Sequence, residues 1–96
     1  MISEAEALQI AEQYLSQRSH SVDGGVAIIK DKTIQKPYGW IFFYNSRRYL
    51  ETGSPLEALG GNGPVVVERA SGRVHALSSA HSTAAAIAEF ERLPRE

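Results

Sequence analysis

The chain holds three histidines, His20, His75 and His81, and no cysteine. Imidazole titrates near neutrality and is the commonest metal ligand, so these are the first residues to test for chemistry. No two of them stand four residues apart, so the HExxH pattern that puts two ligands on one helix face is absent. Without cysteine there is no thiolate nucleophile, no disulfide and no Cys-ligated zinc. One acid–base arrangement remains: His75 and His81 meeting in space, with Glu68 facing His75 across a hairpin. The plainer reading is a pair of surface imidazoles. The Gly60-Gly61-Asn62-Gly63 run invites comparison with a phosphate loop. It lacks the Gly-Lys-Ser/Thr ending, and it precedes a strand where a phosphate loop opens a helix. It reads as a turn, with positive φ at one or more of Gly61, Asn62 and Gly63. No Gly-x-Ser-x-Gly elbow occurs. The two aspartates, Asp23 and Asp31, sit in turn-like settings. Glu89 and Glu91 are two apart on a helix, about 200° around its axis, and cannot work as a pair. No catalytic set assembles, and the expectation is a protein that is not an enzyme, with no cofactor and no metal.

A different chemistry is concentrated between Tyr38 and Tyr49. Strict alternation puts Tyr38, Trp40, Phe42 and Tyr44 on one face of a strand and Ile41, Phe43 and Asn45 on the other. A sheet covered by helices on one side needs one apolar row, and here both are rich. The surplus row either lies under the loop of residues 53–63 or forms a partner or homodimer surface. Trp, Tyr and Arg are the residues that most often dominate interfaces. Arg47 and Arg48 follow directly, with forked donors beside Tyr49 and Glu51. The candidate partner-binding residues are therefore Trp40, Tyr44, Arg47, Arg48 and Tyr49.

The elements that must position them read as follows. Ser3 and Glu6 fit a capping box, and Ala7, Leu8, Ala11, Tyr14 and Leu15 form one apolar stripe, which predicts a helix over residues 4–18. Residues 26–34 and 39–45 read as strands, the second the strongest in the chain. Tyr49 and Leu50 begin a further short extended piece. Residues 53–63 are a Gly-rich loop with room for one helical turn at Leu56, Ala58 and Leu59. A hairpin follows, with strands at residues 64–68 and 73–77 and Gly72 in the left-handed region of its turn. A last helix covers residues 82–92, capped by Ser79 or Ser82 and ended by Pro94. The order predicts an α+β domain with a helix at each end. Its antiparallel sheet has about four strands, with residues 39–45 central and both helices on one face.

Composition narrows the function class without choosing one. The chain has 96 residues, 43% hydrophobic and 22% charged, which suits one domain over residues 1–96. Its formal charge of -1 gives no footprint for nucleic acid or for an anionic membrane. No apolar run reaches the roughly 20 residues that span a bilayer. The opening MISEAEALQI lacks a basic region and carries acids, so a cytoplasmic location is expected.

The segments EALQIAEQYL, PYGWIFFYNSRRYLETG and LGGNGPVVVERASGRVHAL resemble the bacterial immunity protein 35 family along nearly the whole chain. The matching residues run over 7–15, 39–46, 61–64 and 65–74. Glu68 stands where many relatives would carry Asp. The resemblance implies a small cytoplasmic protein that binds and neutralises a cognate toxin, without catalysis. Some relatives are described as chaperone-like, and a chaperone-like or stress-related binding module is the alternative. The resemblance carries over no individual contact residue.

Overall fold

The computed structural model describes residues 1–20, 22–59, 63–77 and 82–93. Helix α1 spans Glu4–Arg18. Its capping box is formed in both directions: Ser3 N donates to Glu6 Oε1 at 2.9 Å, and Glu6 N donates to Ser3 Oγ at 3.2 Å. Ala7, Ala11 and Leu15 of the apolar stripe are buried, with Leu8 and Tyr14 packed beside them.

The two strands expected over residues 26–34 and 39–45 are the arms of one long hairpin, broken in the middle. Strand β1 (Val26–Ile28) pairs antiparallel with β4 (Tyr44–Ser46), and β2 (Ile34–Lys36) with β3 (Gly39–Phe42). Between them Lys30–Lys32 form a 3-10 turn. Ile28 faces Tyr44 while Ile34 faces Ile41, so the register steps by three residues across that turn. A pairing ladder cannot absorb three extra residues on one arm, and the hairpin splits into two sheets.

Strand β5 (Val65–Glu68) pairs with β3, and β6 (Val74–Ala76) with β5, which gives a four-stranded antiparallel sheet in the order β2-β3-β5-β6. β3 is interior, as expected for residues 39–42, but residues 44–46 belong to the second, two-stranded sheet. They part at Phe43: the β3–β5 pairing ends at Phe42 and Val65, and the Phe43 carbonyl accepts from Ile29 N at 2.8 Å, on the β1 side. The turn between β5 and β6 closes with Gly72 at φ 76, as the sequence predicts.

The expectation that both helices share one face is corrected by the packing. Helix α1 lies over Trp40, Phe42, Val65 and Val67. Helix α3 (Thr83–Arg92), capped by Ser82, sets Phe90 and Ile87 against Ile41 and Val66 on the opposite face. All eight residues of β3 and β5 are buried. A strand pair apolar on both alternating rows leaves one row wet unless each face has its own cover. The surplus row is therefore core, and α3 is its lid.

Tyr49 and Leu50 are also corrected, from extended to helical. Helix α2 covers Arg47–Thr52 because both of its ends are capped: Ser46 Oγ accepts from Tyr49 N at 3.0 Å, and Gly53 closes the other end at φ 71. Leu56 lies in a 3-10 turn over Pro55–Glu57. The Gly61 and Asn62 of the expected positive-φ turn, and Pro94 as helix stop, lie outside the described residues.

Gly39 marks a close approach between β3 and β5. A Cβ there would sit 2.1 Å from Val67 O and 3.0 Å from Glu68 Cα. Gly25, at φ 77, would meet nothing within 4 Å. Gly39→Ala is expected to cost roughly 3 kcal/mol or more, because backbone must move. Gly25→Ala should cost about 1–2 kcal/mol, from φ alone. Urea denaturation of the two variants checks this order, and equal losses would contradict it.

Candidate functional site

The residues proposed from the sequence part company in the fold. Trp40 is 2% exposed, inside the α1-side core. The Arg69 guanidinium lies 4.6 Å above its ring. It is a packing residue and leaves the candidate surface. Tyr44 is half-buried on the same side, beside α1. Its burial, and secondarily the nearby Tyr14, push its hydroxyl above the usual 10.0. Arg47 and Arg48 are exposed and Tyr49 is half-buried, together on α2.

The local sequence explains why α2 stands where it does. β4 ends at Asn45-Ser46, and each residue does one job. Asn45 Oδ1 accepts from Ser46 N and from Leu59 N, both at 2.8 Å. One amide thus ties the strand end to the far side of the loop fourteen residues on. Ser46 is 2% exposed and caps α2. Arg47 N donates to Gly25 O at 3.0 Å, and its Nη2 donates to Val26 O at 3.2 Å. Arg48 Nη1 is 3.3 Å from Asp23 Oδ2, and its Cγ would lie 3.3 Å from a Cβ at Gly24. Both arginines are laid along the turn before β1. The ion pair is solvent-exposed and stabilises by about 1 kcal/mol or less.

The sequence reading missed Leu50 and Leu56, which are 40% and 96% exposed on the contacting helix α2 and 3-10 turn. Leu50 shares α2 with Arg47 and Arg48, and Leu56 lies on the turn that contacts that helix. Nothing in residue type or spacing distinguished Leu56 from the core leucines.

The acid–base candidate is half assembled. Glu68, 8% exposed, pairs with His75 Nε2, whose ring packs 5.0 Å from Phe90. His81 lies outside the described residues. On the same side Tyr38 Oη donates to Glu91 Oε2 at 2.8 Å, and Lys36 Nζ is 3.1 Å from that oxygen. The Glu68–His75 pair satisfies a buried carboxylate between β5 and β6. Among the described residues no group of three His, Asp or Glu could hold a metal. Nor is any helix among them long and apolar enough to cross a membrane.

The model of the family described as "Immunity protein 35" matches residues 5–92. The chain belongs to the immunity protein 35 family. It is also similar to "Uncharacterized protein YrhB" of Escherichia coli K12, 34% identical over 53 residues, which cover 55% of this chain and 56% of that protein. The chain thus spans little more than half the length of that curated relative. No solved structure matches.

Two outcomes are expected of this immunity protein 35 member. Asn45→Ala removes the shared acceptor of Ser46 and Leu59 and should cost about 1–2 kcal/mol. Limited proteolysis should then cut faster within residues 53–59, while Asn45→Asp, which keeps the acceptor, should not show this. Tyr44 ionises in the unfolded chain near pH 10.0, while the fold holds it neutral to higher pH. Its folded state is undisturbed below that value and loses stability as pH rises past it. Tyr44→Phe should flatten the alkaline fall in melting temperature; an unchanged fall would show that Tyr44 does not contribute to it.

Proposed function

We propose that this protein binds a protein toxin and neutralises it without catalysis, through the surface that α2 and the following 3-10 turn present. The observation that carries the reading is an exposed face: Arg47 and Arg48 are exposed on a helix capped at both ends, and Leu56, 96% exposed, lies in the 3-10 turn that contacts that helix. Family membership supplies the class of partner. An exposed leucine and two forked cations on contacting elements suit one cognate surface, where the affinity is set by a few desolvated contacts. Tyr49 is half-buried on α2 itself, and Tyr44 is half-buried on β4 beside the α1-side core. The proposed site of action is the cytoplasm, and a charge of -1 calls for neither nucleic acid nor an anionic membrane as partner.

This reading requires a toxin encoded beside this protein, and Arg47→Ala, Arg48→Ala and Leu56→Asp test it in cells expressing that toxin. Each should leave thermal melting within a few degrees of the parent, since all three side chains are exposed. Losing an anchor costs roughly 2 kcal/mol, about thirtyfold in affinity. Rescue should fall accordingly, most for Leu56→Asp. Full rescue by all three variants, singly and combined, would remove this surface. A chaperone-like module would instead show the variants failing to hold a denatured client in solution, with no toxin to rescue from.

A further inference from the structure

Among the described residues, strand β1 pairs on one side only, with β4. The bonds Ile29 N to Phe43 O, 2.8 Å, and Arg47 N to Gly25 O, 3.0 Å, set the phase of that ladder. Gly25, Ala27 and Ile29 turn their backbone groups toward β4. In an antiparallel pair the alternate residues, Val26 and Ile28, must then turn theirs the other way. On that other side runs a groove of about 520 Å³ between β1 and the second half of α1, with Glu12 and Ser16 on its helical wall. Lys30 stands at one end of the groove and Arg47 at the other.

Three of the four outward groups, Val26 N, Ile28 N and Ile28 O, have no hydrogen-bond partner among the described residues. The fourth, Val26 O, is held by Arg47 Nη2. We propose that this edge receives an extended segment of the toxin as an added strand, an inference that rests on the toxin-binding reading above. Donors and acceptors alternating at a two-residue pitch, about 7 Å, are matched by another extended backbone and by little else.

Charge selects the segment further. Lys30 makes no ion pair among the described residues, and the Arg47 guanidinium meets only a neutral carbonyl. Two cations about four residues apart, roughly 13 Å along a strand, fit a segment with an acidic side chain toward each end. Glu12 on the wall between them disfavours an acid in the middle. Self-pairing is discouraged because the edge is only three residues long and stops at the Lys30–Lys32 turn. The toxin gains what a second copy lacks: Arg47 also belongs to the α2 surface, so a strand on β1 runs on into contact with α2.

Residue-resolved amide exchange, measured on the free protein and on its complex with a catalytically inactive form of the adjacent toxin's domain, reads this directly. The Val26 and Ile28 amides should exchange fast in the free protein and at least tenfold more slowly in the complex. Lys30→Glu should weaken binding about tenfold with melting unchanged. If the complex forms, and Leu56→Asp breaks it, but both amides exchange at their free rates, the added strand is refuted while the α2 surface stands. If no complex forms, both readings fail. If the amides are already protected in a free protein that light scattering shows to be dimeric, the occupant is a second copy and the proposal is overturned.

Discussion

Burial of β3 and β5 on both faces is the constraint that organises the rest of the molecule. The six largest fully buried side chains, Trp40, Phe42, Ile41, Val65, Val66 and Val67, all lie on this pair. Each contributes roughly 1.5–3 kcal/mol relative to exposure, against a net stability on the order of 5–15 kcal/mol for an ordinary domain. No single layer of helix can cover two opposite rows, so α1 takes Trp40, Phe42, Val65 and Val67, and α3 takes Ile41 and Val66. Gly39 belongs to the same constraint, because only a residue without Cβ lets β3 approach Val67 O so closely.

The candidate site begins where that ladder stops. Past Phe42 the chain leaves the four-stranded sheet: Phe43 O accepts from Ile29 N, and the next three residues pair with β1. Freed from the interior, Asn45 turns its amide to Leu59, and Ser46 turns its hydroxyl to Tyr49 N. Those two bonds convert the end of a core strand into a short helix with its arginines and Leu50 in solvent. The proposed binding surface thus lies at the margin of the core, where side chains can be lost without emptying a packed position.

Much of this was legible in the residues, for identifiable reasons. The capping box and the Ala7–Ala11–Leu15 stripe are local signals, and α1 follows them over Glu4–Arg18. The hairpin at Gly72 is likewise local. The placement of the helices was not local. It required knowing that both rows of β3 are interior, and an aromatic strand with a surplus row looks the same whether a helix or a partner covers it. The split of the long hairpin was hidden for a similar reason, since a register step of three exists only once the arms are paired. At the site, Arg47 and Arg48 are exposed, while Trp40, whose size suits an interface and a core equally, is buried. Leu56 carried no sequence signal at all, because exposure of a leucine is decided by where the loop is pinned.

The central claim is that this protein works by occupying another protein, not by transforming it. Titrating a fixed amount of the adjacent toxin's activity with increasing amounts of this protein tests it most directly. The account predicts a linear fall that reaches zero near one equivalent and does not deepen with longer incubation. Inactivation of many equivalents of toxin by a trace of protein, growing with time, would contradict it.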